Sequence, residues 1–329
     1  MNKVRWGIIG CGDVTEKKSG PGFQKAEGSE LVAVMRRNRE KAEDYARRHR
    51  VPRWYDSADE LVNDPEVNAV YVATPPSSHL EYTLLAAEAG KPVYVEKPMA
   101  LNSGEAEEMV KVCQEQGVSL FVAYYRRAQP RFLKVKELLD SKIVGDIHGV
   151  QVKLHMPPSQ RDMDKDKTNW RVDPEVAGGG YFMDLASHTL DLLDFLLGPI
   201  SEAKGIAVNI AGLYKAEDNV TAVFRWEEGI TGIGSWRFTV GEQLDQVELS
   251  GTEGTILFSM FDDNPVFSRK PGKKAEEYLI PHPEHVQQPL IQSVTDKLLG
   301  KGECPSTGDS GLRTTRIMEN ILSDYYEAL

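Results

Sequence analysis

Three places in the chain carry residue types at spacings that could do chemistry. The first is Gly10-Cys11-Gly12-Asp13-Val14-Thr15, directly after an apolar run at residues 4–9. A strand that turns through Gly-x-Gly into a helix can bring its backbone against a pyrophosphate. Gly10 would allow the tight turn, Gly12 the close approach, and Asp13 and Val14 would open the helix that faces the anion. Thr15 stands where the fingerprint has its third glycine, a departure expected to loosen helix–strand packing. An ordinary glycine turn would show the same residues. Lys17 and Lys18 could assist with phosphate, although a solvated loop is the simpler account of them.

The end of the second strand chooses between the two pyridine nucleotides. An acidic residue there would accept hydrogen bonds from a ribose 2′-hydroxyl and repel a 2′-phosphate. The run at residues 31–35 ends instead in Arg36-Arg37-Asn38, and Glu30 lies at its other end. Two guanidiniums and an amide favour a phosphate, hence NADP, with NAD the alternative. Solvated surface arginines would look the same.

The second place is Lys97, which follows an apolar run at residues 92–96 and precedes Pro98. Ligands of open parallel sheets bind beyond the C-terminal ends of strands. A lysine there can donate to an oxygen that gains charge and can carry a proton. A surface lysine paired with Glu96 is the plainer account. The third place is Asp184 and His188, spaced i,i+4 and so on one face of a helix. The preceding Gly178-Gly179-Gly180 has no side chains, which would let backbone approach a ligand. His188 suits proton exchange near neutral pH, and Asp184 could orient it or bind a hydroxyl. A capping aspartate and a core histidine would fit the same spacing. A metal is not expected: the pair lacks a third ligand, and Lys97 would repel a cation.

These residues need elements to hold them. Apolar runs at 4–9, 31–35, 69–74, 92–96 and 119–123 alternate with helix-like stretches at 39–49, 58–62, 78–89 and 103–116. This implies a parallel sheet with right-handed crossovers, a Rossmann domain over residues 1–123. After one more helix at 130–141 the pattern changes to long extended segments at 148–155, 200–210, 219–226, 230–238, 246–251 and 255–258. The helix at 184–197 interrupts them, and Asp191 and Asp194 continue its face beyond His188. This reads as an α+β domain over residues 124–329 with a largely antiparallel open sheet and a helical segment at about 289–329. The fold class is α/β.

The chain has 329 residues and a formal net charge of -11. An acidic excess argues against nucleic acid or an anionic membrane as partner. Three scattered cysteines, Cys11, Cys113 and Cys304, make neither a disulfide framework nor a zinc site. No signal peptide and no membrane span is expected, so the expected location is cytoplasmic.

Four motifs occur in order: Gly10-Cys11-Gly12, Ala73-Thr74-Pro75-Pro76 with His79, Glu96-Lys97-Pro98, and Gly178-Gly179-Gly180 with Asp184 and His188. Together they resemble the glucose–fructose oxidoreductase / inositol dehydrogenase (Gfo/Idh/MocA) family over nearly the whole chain. The resemblance implies a pyridine nucleotide, a small hydroxyl or carbonyl substrate, and a homodimer or homotetramer. It implies catalytic roles for Lys97, Asp184 and His188. It implies cofactor contacts at Thr74, Pro75, His79, Glu96 and Lys97 beside those of Gly10, Gly12, Asp13, Val14, Arg36 and Arg37. It implies substrate contacts at Tyr125, Arg126, Trp170 and Arg171, with Arg127 able to replace Arg126.

The expected function is hydride transfer between NADP(H) and a secondary alcohol or ketone of a sugar, inositol or related polyol. A reductase or dihydrodiol dehydrogenase for a non-sugar substrate is a competing enzyme. A nucleotide-binding sensor without turnover is the competing class, because a fold alone does not assign a function.

Overall fold

The computed structural model describes residues 2–164 and 169–328. The chain divides into two compact units, Met1–Gln129 with Pro283–Leu312 and Pro130–His282 with Arg313–Leu329. The expected boundary at residue 123 therefore moves, and part of the helical segment expected in the second domain returns to the first. Burial explains the return. Leu290, Ile291 and Val294 fill the same apolar cluster as Trp6, Phe23, Tyr71 and Tyr94. An amphipathic pattern tells that a helix face is buried, not against which partner.

The first unit holds β1 (Val4–Ile9), β2 (Ser29–Met35), β3 (Arg53–Tyr55), β4 (Ala69–Val72), β5 (Val93–Val95) and β6 (Leu120–Val122). Their order is β3-β2-β1-β4-β5-β6, with every pairing parallel. The order reverses between β1 and β4, which opens a crevice beyond their C-terminal ends. Strand residues alternate between two apolar clusters, as pleating requires. Val70, Val72, Val93 and Val95 join one; Trp6, Ile8, Tyr71 and Tyr94 join the other. The edge strand β3 has three half-buried residues, too few to show a period in sequence.

The second unit holds β7 (Ile147–His155), β8 (Ile200–Val208), β9 (Asn219–Trp226), β10 (Thr231–Arg237), β11 (Leu244–Gly251), β12 (Thr255–Phe258), β13 (Val266–Arg269) and β14 (Glu276–Tyr278). The order is β14-β13-β12-β11-β7-β10-β9-β8. Only β7 and β10 pair in parallel; the other pairings are antiparallel. One face buries Val150, Val152, Val220, Phe224, Trp236, Val247 and Leu249 in a single core with Phe132, Leu190, Leu193, Met318 and Ile321. The helix expected at 184–197 begins earlier, as a π-helical turn at Phe182–Ala186 that runs into the α-helix Ser187–Leu197. Asp194 on this helix takes both prongs of Arg313, at 2.8 Å each, and Asp191 accepts from Thr314 at 3.4 Å. No helix among the described residues is long and apolar enough to cross a membrane.

Candidate active site

The loop after β1 is anchored from three sides. Gly10 sits at φ +91, where a Cβ would meet the Thr74 methyl at 2.6 Å, so only glycine fits. Thr15 does not loosen the loop, contrary to expectation. It is fully buried, and its hydroxyl donates to the Gly12 carbonyl at 2.8 Å and accepts from the Gly12 N–H at 3.0 Å. The helix that follows, Asp13–Lys17, is a single turn, and a second helix, Gly20–Lys25, starts at once. Tyr45 holds the Thr15 carbonyl at 2.9 Å. Arg48 forks onto Glu16 at 2.7 and 2.8 Å, and with His49 it holds that carboxyl down at about 2. Lys17 and Lys18 are exposed.

The site fits a pyridine dinucleotide on two observations. A Cβ on Gly12 would meet nothing nearer than the Gly10 carbonyl at 3.8 Å. No internal contact requires glycine there, so the space is open to a ligand beside the Asp13 and Val14 amides. Those amides open a helix and so lack intrahelical acceptors. The Thr74 hydroxyl, beside Gly10, is buried and has no hydrogen-bond partner among the described residues, and a buried polar group of that kind calls for a partner. Cys11 within the loop is buried, and burial pushes its thiol up to about 11, so it is inert.

At the end of β2, Arg36 reaches back to the loop and donates to the Cys11 carbonyl at 3.2 Å. Arg37 is exposed. Asn38 serves the helix Arg39–His49 instead, capping it with a side-chain oxygen that accepts from the Lys41 N–H at 2.9 Å. Glu30 is at the far end of the strand, paired with Lys3 at 2.9 Å.

Lys97 is half-buried at the end of β5, and its peptide bond to Pro98 is cis. Glu96 beside it is buried. Its carboxylate accepts from Tyr71, from Gln287 at 2.6 Å and from the Lys97 N–H at 3.1 Å. Glu96 is thus tied to protein donors. His79 is engaged by the protein in the same way. It is completely buried, with Nε2 at 2.8 Å from the Thr74 carbonyl and Nδ1 at 3.0 Å from the Pro98 carbonyl. Burial lowers its pKa, against the opposing pull of those carbonyls and Glu96. It links the Thr74-Pro75 turn to the Lys97-Pro98 turn. Tyr125 and Arg126 lie in the first unit, not at the start of the second, in a short 3-10 turn. Both are buried, and Arg126 stacks on the Tyr125 ring at 5.1 Å. Arg127 donates to the Pro305 carbonyl at 3.1 Å.

In the second unit, Asp184 lies in the π-helical turn and His188 in the first turn of the α-helix. π-turns inside helices recur at functional sites. Asp184 is partly exposed and pairs with Arg171 at 3.5 Å, and Arg171 stacks on Trp170 at 4.5 Å. So two residues expected to bind substrate stand beside one expected to act in catalysis. His188 is buried, with the Phe261 ring edge-on at 6.1 Å. The loop carrying Trp170 and Arg171 is fastened through Asn169, which donates to Asp162 at 2.9 Å. Burial opposes the ionisation of Asp162, but donors from Ser159, Asn169 and Tyr181 outweigh it and hold that carboxyl below its usual range.

The glycine run serves packing, not the ligand approach expected of it. A Cβ on Gly180 would meet Ala216 at 2.8 Å and the Glu217 carbonyl at 2.9 Å. Glu217 is fully buried; it accepts from the Gly180 N–H at 2.9 Å and from Tyr326 at 2.5 Å. Sequence reasoning missed Glu217, Gln287 and Tyr71. The available signal for the first was an acidic pair, Glu217-Asp218, abutting a strand with alternating burial. Among the described residues no group of three or more His, Cys, Asp or Glu is placed to hold a metal ion.

Comparison with known proteins agrees with this geometry. Residues 4–124 match the GFO_IDH_MocA family model, described as an oxidoreductase family with an NAD-binding Rossmann fold, and residues 132–257 match the GFO/IDH/MocA C-terminal domain. The chain is 39% identical over 318 residues to Oxidoreductase P35 of Formosa agariphila, covering 97% of this chain and 98% of that one. It is 29% identical to the 1,5-anhydro-D-fructose reductase of Ensifer adhaerens over 94% of this chain and 92% of that one. The WlbA dehydrogenase of Bordetella pertussis, solved with NADH and UDP-GlcNAcA, superposes with a TM-score of 0.84 at 27% identity, covering 100% of this chain and 97% of that one. The parallel sheet with its glycine loop, the open antiparallel sheet and these matches lead to one conclusion: the chain belongs to the GFO/IDH/MocA family of NAD(P)-dependent oxidoreductases.

Proposed function

We propose that the protein transfers a hydride between NADP(H) and a secondary alcohol or ketone of a sugar, inositol or related polyol. The observation that carries this reading is the open crevice at Gly12 and Thr74 with Lys97 held at the end of the neighbouring strand β5. Gly10, Gly12, Asp13, Val14, Thr74 and Pro75 would hold the dinucleotide. When bound, the nicotinamide accepts or gives the hydride. The chain's own residues manage the proton. Lys97 donates to the substrate oxygen as it gains charge in reduction, and takes that proton back in oxidation. His188 is proposed as a second proton-exchange group. Asp184 and Arg171 present an acceptor and a donor side by side, which suits vicinal hydroxyls. The reductase relative from Ensifer adhaerens, whose named substrate is a sugar ketone, supports the substrate class.

NADP preference rests on Arg36 and Arg37 and on the lack of a carboxylate at the end of β2. The NADH in the Bordetella pertussis structure makes NAD the competitor. A fluorescence titration with each nucleotide tests this. NADPH is expected to bind at least about tenfold tighter, and Arg36→Ala with Arg37→Ala to erase the difference, since a charge-assisted hydrogen bond contributes about 1.5–3 kcal/mol. Equal or tighter binding of NADH by the wild type would defeat the assignment.

The three cysteines are free and buried, which suits a cytoplasmic protein. We further propose a homodimer or homotetramer formed through the outer face of the second sheet. There Ile206, Val223 and Ile233 are 74%, 54% and 52% exposed, and Val223 pairs with Ile233 across β9 and β10. Ile233→Lys with Val223→Lys is expected to reduce the mass measured by light scattering to that of one chain. An unchanged mass would point to another interface.

A further inference from the structure

We propose that Gln287 is a positioning residue for Lys97, acting through the Glu96 carboxylate. Gln287 is 191 residues from Glu96 in sequence, yet it is wholly buried with both ends of its amide engaged. Nε2 donates to Glu96 Oε1 at 2.6 Å, and Oε1 accepts from the Tyr94 hydroxyl at 3.2 Å. Its backbone is pinned too. The N–H donates to the Lys18 carbonyl at 3.3 Å, and the carbonyl accepts from the Ile291 N–H at 3.0 Å. One residue before it, the Val286 carbonyl accepts from Gln129 at 3.1 Å.

Glu96 Oε1 therefore has two donors, Tyr71 and Gln287, while Oε2 holds the Lys97 N–H. The donors on one oxygen stop the carboxylate from turning, so the other oxygen is a fixed acceptor for the peptide that begins Lys97. Tyr71 and Tyr94 stack at 5.0 Å. Burial, together with the Glu96 charge, pushes both hydroxyls well above the usual phenol range, so both remain donors. Between a carboxylate and a phenol the bridge must donate to one and accept from the other. An amide does both without titrating. A carboxyl does so only while protonated, and an aliphatic side chain not at all.

The positioning is observable without substrate or nucleotide; only its effect on turnover rests on reading Lys97 as catalytic. The full-length protein, labelled with 15N-lysine, is compared as wild type, Gln287→Glu and Gln287→Leu. The readout is the Lys97 amide resonance, identified by its loss in Lys97→Arg, with its hydrogen-exchange rate relative to wild type at each pH.

In Gln287→Glu the resonance is expected to match wild type at about pH 6 and to depart along a single ionisation by about pH 9, as the new carboxyl gives up its proton beside Glu96. Exchange should become at least about tenfold faster over that span, and turnover should fall about tenfold with the same midpoint and an unchanged KM. Gln287→Leu should show fast exchange at every pH, and if it does not fold, the near-isosteric Gln287→Glu carries the test alone. An unmoved Lys97 amide in folded Gln287→Glu across the whole range overturns the inference. An amide that moves as expected while Lys97→Met keeps its turnover upholds the positioning and defeats only the catalytic reading.

Discussion

Lys97→Met is expected to lower kcat about a thousandfold while nucleotide affinity and melting temperature stay near wild type, the range seen when a proton-transfer group is removed. The structure favours a clean experiment. Glu96 holds the backbone N–H of Lys97, and the His79 ring lies between the carbonyls of Thr74 and Pro98, donating its single N–H to one of them. Methionine keeps the length of the stem and takes away the ammonium, so the scaffold of buried hydrogen bonds is untouched. Turnover would be followed as NADPH oxidation with 1,5-anhydro-D-fructose, and with a panel of ketoses and inosose-type ketones. NADPH affinity would be followed by fluorescence. Turnover within threefold of wild type would remove Lys97 from the chemistry. Parallel loss of nucleotide binding would mean that the lysine holds the cofactor instead.

What the sequence discloses about this fold depends on how local each determinant is. The parallel sheet is legible because runs such as Ala69–Val72 and Val93–Val95 are buried on both faces, which leaves an uninterrupted apolar signature. The strands β3, β13 and β14 escape notice because each is short and also carries charged residues, Arg53, Arg269 and Glu276 with Glu277, so neither a continuous apolar run nor an alternation shows. The tight turn at Gly10 and the strand-end place of Lys97 are legible, the first from residue type and the second from the apolar run before it. Polar residues with distant partners are read poorly. The residue types of Glu96 and His79 give no sign of the buried protein donors and acceptors that hold them. Gln287, just before a helix, looks like solvent-facing punctuation, and only the return of residues 283–312 to the first unit places it against Glu96. Thr15 and the glycine run mislead for one reason: a small residue shows that something comes close, not whether it is ligand or protein.

The stability of the second unit is expected to fall as pH rises through neutrality, and Glu217 is the cause. Burial, with help from the neighbouring Asp218 charge, pushes its carboxyl from an ordinary 4.5 up to about 7, against the Tyr326 hydroxyl and the Gly180 N–H, which favour the ionised form. Its other titratable neighbours, Tyr325 and Tyr214, are phenols whose own pKa values are raised, and neither supplies a cation to the carboxylate. Because the folded pKa is the higher one, the folded state keeps a proton that the unfolded chain has already released. The stabilisation is complete below 4.5 and is lost as pH rises through about 7, a change of about 3 kcal/mol over that window. Urea denaturation of wild type and Glu217→Gln at about pH 5 and about pH 8 measures it, since the amide oxygen can still accept from the Gly180 N–H, its NH2 can donate to the Tyr326 oxygen, and it cannot ionise. The wild type should lose about 2.5 kcal/mol more than the variant between the two conditions. An identical pH dependence in the two proteins would mean that the carboxyl ionises in the folded state as it does in the open chain. Glu217 also receives the N–H of Gly180, immediately before the turn that carries Asp184. Its ionisation therefore bears on the same backbone that presents Asp184, and substrate KM in wild type should rise above about pH 7 while that of Glu217→Gln stays flat.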